Sequence, residues 1–323
     1  MKAELVHSKD IDRARWDDLV SNSIQGSVYL ESGFLDALLP GKWQGIIVCD
    51  DDGNMLALMP LFLGSKLGMK HALQPMITKY WGVAFKDAIY TNTYKEYSWK
   101  KKYLEAIINV IPKNLVSFSY NFHPEFDYPL PFYWKGYSLQ TRFTYYLDTD
   151  LKSTDELFKN YGSSLKTNIR HAQKNGISII EEHTAENLFE ILPFSSKSNE
   201  TIISPKYYPW FKAVFGYGRP SGKCYSFTAL DINKKPIASS FILQDMKTIF
   251  VHSLFIHRDF RLSAASGLLM HHIITMAAEK HLKVDLTGSM IEPVEAFDRH
   301  FGARPVPYLT ISKKNKLLSV LGN

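Results

Sequence analysis

The sequence is poor in cysteine, and this shortage excludes one class of protein. Only two cysteines, Cys49 and Cys224, occur in 323 residues, and each lies inside an apolar run. We therefore expect no disulfide framework, and a reducing compartment is favoured. The chain also lacks an apolar run at its N-terminus and any uncharged apolar stretch of about 18 residues. We expect a cytoplasmic protein without a transmembrane segment and leave loose association with a membrane surface open.

Several catalytic signatures are missing as well. The sequence has no Walker A loop, no Rossmann glycine motif and no nucleophile elbow. Its 11 histidines are scattered, and no cysteine or histidine spacing matches a zinc site. We therefore expect no metal, and the motifs of P-loop, dehydrogenase and α/β-hydrolase chemistry are not available.

What the chain does contain is typical of a globular protein with two domains. A length of 323 residues predicts two domains of about 150 residues each. A region rich in proline and aromatic residues at 121–137 reads as a connecting loop, and we predict domains 1–145 and 146–323. The net charge of +6 is compatible with nucleic acid, an anionic cofactor or a membrane surface. Because the basic residues are spread along the chain, an anionic donor is favoured over nucleic acid as the main partner.

Hydrophobic patterns predict a similar order of elements in the two halves. In the first half, we predict strands at 45–49, 55–63 and 115–120 and a helix at 94–111. In the second half, a helical pattern runs from a capping box at Ser153 to Asn175-Gly176. Strands at 223–230, 236–244 and 248–256, a helix at 263–281, a strand at 283–287, a helix at 293–300 and a strand at 307–312 follow. Short connections favour hairpins, so we predict an α+β fold with mixed, mostly antiparallel sheets flanked by helices.

The start of the helix at 263–281 is a candidate site for an anion. Its residues Ser263, Ala264, Ala265, Ser266 and Gly267 are small, so a phosphate group could approach the N–H groups of the first turn. Arg258 and Arg261 could add positive charge. The alternative is a serine-capped helix that packs into the core, and the two roles are compatible.

Five polar residues near the predicted strand ends are candidates for acid–base chemistry: His252, Asp285, Ser289, Glu292 and Arg299. Transfer of an acyl group to an amine requires a base, donors for the oxyanion and a proton source for the leaving group. Asp285 lies in an otherwise apolar strand, where an unpaired carboxylate is unfavourable, so it has either a partner or a function. His252 could equally be a hydrogen-bonded core histidine, and the other three could be surface residues.

Five segments together resemble the FemAB-like branch of the GNAT (acyl-CoA N-acyltransferase) superfamily. They are YGSSLKTNIRHAQKNGISI (161–179), FVHSLFIHRDFRLSAASGLLMHHII (250–274), VDLTGSMIEPVEAFDRHFGARPVPY (284–308), YLESGFLDALLPGKW (29–43) and ALMPLFLGSKLGMKHALQP (57–75). The family's phosphate-turn pattern Gln/Arg-x-x-Gly-x-Gly/Ala corresponds here to Arg261, Ala264 and Ser266. A lysine of the family's terminal motif corresponds to Arg299.

The resemblance implies two tandem GNAT-like domains with the active cleft mainly in the second. It implies an N-acyltransferase that uses acyl-CoA or, as in classical FemAB-type enzymes, aminoacyl-tRNA as donor. The acceptor would be the amine of a small molecule, a glycan or a peptide, as in cell-envelope or glycan biosynthesis. Because the phosphate turn departs from the family pattern, a non-catalytic GNAT-like protein that binds a ligand or a partner is the alternative.

Overall fold

The computed structural model describes residues 1–87, 91–149, 152–195, 204–288 and 290–315. The chain divides into two compact units. One comprises Met1–Arg142 and the chain from Pro307 onward, and the other comprises Phe143–Val306. The predicted division at 145/146 differs from this result at the C-terminal end, because the last strand returns to the first unit.

The first unit is built from strands and helices that alternate along the chain. In chain order they are β1 (Lys2–His7), α1 (Arg13–Asn22), α2 (Ser32–Leu38), β2 (Trp43–Cys49), β3 (Met55–Lys66), β4 (Met69–Leu73), β5 (Ala84–Phe85), α3 (Thr93–Val110), β6 (Ser117–Asn121) and α4 (Leu130–Trp134). Strands β1 to β4 pair antiparallel in sequence order, β5 pairs with β3, and β6 runs parallel to β4.

The predicted hairpin between β2 and β3 is confirmed. The two strands pair antiparallel, and Asp50 Oδ1 accepts a hydrogen bond from the backbone N–H of Asn54 at 2.7 Å. Gly53 has a φ of +83°, a left-handed conformation that glycine adopts without a steric penalty. The short polar turn therefore fixes the register of the two strands.

The second unit begins within β7 (Ser138–Leu147). Its further elements are, in chain order, α5 (Thr154–Asn160), α6 (Ser163–Lys174), β8 (Ser178–Glu181), α7 (Glu186–Ile191), α8 (Tyr208–Gly218), β9 (Cys224–Leu230), β10 (Pro236–Gln244), β11 (Thr248–Ile256), α9 (Ala265–Glu279), β12 (Lys283–Asp285), α10 (Glu292–His300) and the beginning of β13 (Arg304–Lys314). The sheet order is β7-β12-β11-β10-β9-β8, in which β11 and β12 are parallel and the other neighbours are antiparallel. The α+β class with mostly antiparallel sheets and flanking helices is confirmed.

Helices α6 and α9 pack together over the core of the second unit. Leu165 and Ile169 of α6 lie in one buried cluster with Leu269 and Ile273 of α9. Gly267 lies where the helices approach each other, since a Cβ added there would be 3.1 Å from Leu165 Cδ1. The predicted core role of α9 is therefore confirmed, and Gly267 allows close helix packing.

The helical pattern predicted from Ser153 to Asn175 forms two helices. The capping box between Ser153 and Glu156 is present, but Tyr161 and Gly162 separate α5 from α6. The N–H of Gly162 donates to the carbonyl of His300 at 2.8 Å, and a Cβ on Gly162 would be 3.0 Å from His300 Cδ2. Contact with the end of α10 thus interrupts a pattern that local periodicity alone would continue.

Two further differences lie around the predicted domain boundary. The loop predicted at 121–137 contains α4, and β7 runs across the predicted boundary. The last strand, β13, pairs antiparallel with β6 through residues 310–314, and the hydroxyl of Thr310 donates to Asn121 Oδ1 at 2.7 Å. This long-range pairing is what returns the end of the chain to the first unit.

Candidate active site

A cleft of about 690 Å³ opens in the second unit where β11 and β12 separate. β12 pairs with β11 only from Thr248 to Phe250, whereas β11 continues to Ile256. Residues 251–256 and 286–288 diverge and line the cleft together with part of α9 and one face of α10. Among the described strands, none pairs with this edge of β11 beyond Phe250.

A β-bulge at His252 accounts for the separation. Ser253 pairs with Phe241 and Val251 pairs with Ile242, so β11 has one residue more than β10 at this point. A bulge bends its strand and increases the local twist, and here it turns β11 away from β12.

His252 lines the cleft, as a catalytic role requires. Its ring also lies 5.7 Å from that of Phe211 and 6.2 Å from that of Phe241, both of which are buried. The imidazole is therefore held against an apolar wall at the bulge. His252 lies in β11, the strand in which the sequence analysis placed it, and its catalytic role stays a prediction.

The cleft is mostly apolar, with few ionisable groups. Its walls include Leu254, Ile256, Met270, Leu286 and Phe297. Among the described residues, the ionisable side chains that line it are those of His252, Arg261 and Asp298. Charges in such surroundings interact more strongly than at an exposed surface because the local dielectric constant is lower.

Asp298 is a site residue that the sequence analysis did not select. It is only 3% exposed, lies in α10 and lines the cleft. A helix places residues 294, 297, 298 and 301 on one face, and Val294, Phe297 and Phe301 are apolar. A single carboxylate within an apolar helix stripe is the sequence signal that could have identified it.

Gly288 brings the carboxylate of Asp298 close to the end of β12. A Cβ on Gly288 would lie 2.6 Å from Tyr145 Cδ2 and 3.3 Å from Asp298 Oδ2, so no side chain fits here. Burial raises the pKa of the Tyr145 hydroxyl, and the Glu295 carboxylate raises it further. The phenol behind Gly288 is consequently protonated at neutral pH.

Asp285 is fully buried and does not line the cleft. Its Oδ1 accepts hydrogen bonds from the hydroxyl of Thr144 and, at 2.7 Å, from the backbone N–H of Thr287. The hydroxyl of Thr287 in turn donates to the carbonyl of Val251 at 2.6 Å. Asp285 therefore has the partners that its burial requires, and its contacts fix the turn that forms one side of the cleft.

The remaining acid–base candidates lie elsewhere. The Arg299 side chain is 65% exposed, and its Nε donates to Glu295 Oε1 at 3.0 Å. This hydrogen bond raises the pKa of the guanidinium. Glu292 is exposed in the first turn of α10 and is not part of the cleft lining. Ser289 lies outside the described residues.

Two of the predicted donor-binding residues, Arg261 and Ser266, line the cleft. The guanidinium of Arg261 donates to the carbonyl of Ser195 at 3.3 Å, which holds it at the cleft. Ser266 lies in the first turn of α9, where N–H groups have no partner four residues earlier in the helix. A positive side chain and a helix N-terminus therefore face the same volume.

The other predicted donor-binding residues shape the start of α9. Ser263 Oγ accepts from the N–H of Ala265 at 3.3 Å, and Ala264 has a left-handed φ of +60°. Ala265 and Gly267 are buried, which agrees with the packing role left open above. Arg258 is exposed beside Asp259, with 3.7 Å between its Nε and the carboxylate, and does not line the cleft.

Solved structures with the same fold are known. FemX has a TM-score of 0.68 at 11% identity over 95% of this chain and 96% of its own. A tandem GNAT protein from the clavulanic acid biosynthesis pathway, in a structure without AcCoA, has a TM-score of 0.57 at 10% identity over 97% and 98%. L-PGS from Bacillus licheniformis has a TM-score of 0.56 at 11% identity over 96% and 94%.

The fold is that of FemX and of tandem GNAT proteins. The resemblance drawn from the sequence is therefore confirmed at the level of the fold. No protein-family model and no curated protein matches the chain. Identities of 10–11% transfer the fold and leave the activity to be argued from the site.

None of the helices formed by the described residues combines the length and apolar character needed to cross a bilayer. The described residues also contain no group of three or more His, Cys, Asp or Glu side chains that could hold a metal ion. The cytoplasmic location stays a prediction.

Proposed function

We propose that the second unit is an N-acyltransferase that moves an acyl or aminoacyl group from an activated donor to an amine. The observation that carries the proposal is the cleft between β11 and β12, where His252, Asp298 and the start of α9 face one volume. Such a cleft provides a base, a carboxylate and an anion-binding helix end without a covalent nucleophile.

The proposed reaction is a direct attack of the amine on the donor's carbonyl carbon. The Asp298 carboxylate attracts the incoming ammonium, and His252 accepts its proton. The amine nitrogen then forms the C–N bond, and backbone N–H groups of β11 beyond Phe250, where no described strand pairs with it, stabilise the oxyanion. The bond to the leaving sulfur or oxygen breaks, the leaving group takes the proton from the His252 imidazolium, and the new amide nitrogen releases its remaining extra proton to water.

The donor's anionic part is proposed to lie between Arg261 and the first turn of α9. Arg261 supplies a full positive charge, and the helix N-terminus supplies about half an elementary charge. Acyl-CoA and aminoacyl-tRNA both carry phosphates, so this end of the cleft suits either donor. The apolar walls near Leu286 and Phe297 would surround the acyl or aminoacyl side chain.

The acceptor is proposed to be an amine on a small molecule, a glycan or a peptide, in cell-envelope or glycan biosynthesis. FemX, L-PGS and the tandem GNAT protein share the fold and motivate this choice. The non-catalytic alternative would be favoured by a cleft filled with side chains. The open volume beside Ser266 counts against that alternative.

The test measures transfer of a labelled acyl group with each donor class in turn. Acetyl-CoA as donor should raise the melting temperature at sub-millimolar concentration, whereas aminoacyl-tRNA binding should weaken steeply with salt. With the productive donor, His252→Ala should lower kcat by about 100-fold or more, because a general base contributes at least this much. His171→Ala, which changes an exposed histidine of α6, is the matched control and should retain the wild-type rate. A His252→Ala rate equal to that of wild type would remove His252 from the mechanism, and no transfer with either donor would refute the proposal.

A further inference from the structure

A second concave site lies within the first unit. It has a volume of about 560 Å³ and lies between the C-terminal end of α3, the turn after α4 and the end of β13. Its floor is apolar and includes Ile108, Ile111 and Phe118. Four lysines line the rest, namely Lys113, Lys135, Lys313 and Lys314. We call it the lysine pocket; none of the described residues that line it is acidic.

One wall of the lysine pocket is a rigid turn. The N–H of Tyr137 donates to the carbonyl of Phe132 at 3.1 Å, and the N–H of Gly136 donates to that of Tyr133 at 2.9 Å. Gly136 has a φ of +77°, and the rings of Phe132 and Tyr137 lie 5.3 Å apart. These features define a Schellman motif with its hydrophobic contact, which fixes Lys135 at the pocket.

The same turn positions a second lysine. Lys313 Nζ donates to the carbonyl of Lys135 at 2.7 Å and lies 4.8 Å from the ring centroid of Tyr137. Burial raises the pKa of the Tyr137 hydroxyl to about 12, so this phenol remains neutral and does not balance the lysines. The C-terminus of α3 contributes only about half a negative charge. The pocket therefore has an excess of positive charge that an anion would offset.

Exposed aromatic residues adjoin the lysine pocket. Tyr133 is 61% exposed and Trp134 is 53% exposed, and both immediately precede Lys135. Lys101 Nζ lies 5.3 Å from the centroid of the Trp134 ring and 3.9 Å from Glu105 Oε1, so it contacts the ring while its charge is balanced within α3. Exposed tyrosine and tryptophan next to lysine are typical of surfaces that lie at the headgroup level of a bilayer.

We propose that this face of the first unit docks on anionic phospholipid, with a headgroup phosphate in the lysine pocket and Tyr133 and Trp134 among the headgroups. A concave pocket of about 560 Å³ has room for a headgroup phosphate. An RNA backbone is better matched by an extended basic groove with stacked aromatic residues, so a membrane is the favoured partner. This inference is independent of the proposed acyl transfer.

Binding of the full chain to vesicles tests the inference. Sedimentation with phosphatidylcholine vesicles is compared with sedimentation with vesicles that contain phosphatidylglycerol. The wild type should bind the anionic vesicles and release them as the ionic strength rises from about 0.05 to about 0.3 M. The triple variant Lys113→Gln/Lys135→Gln/Lys314→Gln should bind them at least about tenfold more weakly.

Matched variants separate the pocket from general charge. Lys9→Gln/Lys42→Gln/Lys66→Gln removes the same charge from exposed lysines of the same unit that do not line the pocket, and it should bind like wild type. Lys113→Arg/Lys135→Arg/Lys314→Arg should retain binding, and Trp134→Ala should weaken it. All of these positions are exposed, so each variant should keep the fold, and circular dichroism checks this.

Four outcomes would overturn the inference. One is wild-type binding that does not distinguish anionic from neutral vesicles. Another is equal loss in the pocket and control triple variants. A third is a pocket triple variant that loses tRNA binding, measured by gel shift, but binds vesicles as the wild type does. Inorganic pyrophosphate that raises the melting temperature of the wild type while vesicles do not bind would likewise assign the pocket to a soluble anion.

Discussion

The two units differ in where their charged side chains lie. Among the described residues, the buried acidic side chains are Glu182, Asp285 and Asp298, and all three lie in the second unit. The described part of the first unit buries no charged side chain, and its lysine pocket carries its charges at the surface. A buried charge is unfavourable unless it is hydrogen-bonded or paired, so the buried acids of the second unit require either partners or a function.

The difference separates two kinds of recognition. Buried carboxylates act over short distances, are weakly screened by salt and depend on geometry that the sheet and helices fix. Surface lysines act over about 10 Å at 0.1 M salt and are largely screened beyond that distance. We therefore expect chemistry in the cleft and salt-sensitive docking at the lysine pocket. Changes to the three buried acids test how the second unit uses its buried charges.

The largest effect is expected for Asp298→Asn. This change keeps the shape of the side chain and removes its charge from the cleft, so kcat for acyl transfer should fall by about 100-fold. Transfer kinetics measure the loss, and thermal melting checks that the variant is folded.

Glu292→Gln is the control for Asp298→Asn. Glu292 lies on the same helix, is exposed and does not line the cleft, so its variant should transfer at the wild-type rate. If the two variants had equal rates, Asp298 would have no role in the chemistry.

The next largest effect is expected for Asp285→Ala. The change leaves the Thr144 hydroxyl and the Thr287 N–H without their acceptor, so the free energy of unfolding should fall by about 3 kcal/mol. Chemical denaturation measures the loss. Asp285→Asn retains an acceptor oxygen and should lose less. A fully stable Asp285→Ala variant would contradict the structural role argued here.

A smaller, pH-dependent effect is expected at Glu182. Burial raises the pKa of Glu182 to about 7, against the opposing effect of hydrogen bonds from Asn187. The folded protein therefore binds this proton more tightly than the unfolded chain, in which the pKa is about 4.5. The resulting stability is complete below about pH 4.5 and is lost as the pH rises through about 7, with a total of about 3 kcal/mol.

Glu182→Gln mimics the protonated form and should remove this dependence. Between about pH 5 and about pH 8, the free energy of unfolding should decline with pH for the wild type and should change less with pH for the variant. Parallel pH profiles for the two proteins would show that Glu182 is not the group responsible.

The smallest effect is expected at Ala264. Its φ of +60° is unfavourable for a residue with a Cβ, and the corresponding position of the family pattern is glycine. Ala264→Gly should raise the free energy of unfolding by about 0.5–1 kcal/mol without changing transfer. Ala277→Gly, inside α9, should instead lower it by about 1 kcal/mol or more. Destabilisation by both changes would mean that the left-handed turn carries no strain.

Local patterns were sufficient to predict much of the second unit. The bounds of β10 and β11 agree with the prediction because their apolar runs end at two polar turns, Asp231–Lys235 and Asp245–Lys247. The capping box at Ser153 and the buried stripe of α9 were also predictable. The break at Tyr161-Gly162 was not, since it depends on a contact with the distant His300.

The candidate site was predictable only in part. His252, Arg261 and Ser266 were selected from residue type and position, and they line the cleft. The bulge at His252 follows from the register between β10 and β11, which no local pattern encodes. Asp285 was selected because a strand carboxylate is unusual, but burial and two hydrogen bonds explain it. Asp298 was missed, although a single carboxylate in an apolar helix stripe marks its position in the sequence.

The most direct test of the cleft as the donor site is hydrogen–deuterium exchange of the full chain with and without each donor. If the donor binds as proposed, amide protection should appear at residues 252–256 and in the first turn of α9, with acetyl-CoA or with aminoacyl-tRNA. Protection confined to the first unit would contradict the account. So would the absence of protection at residues 252–256 and in the first turn of α9 with a donor that supports transfer.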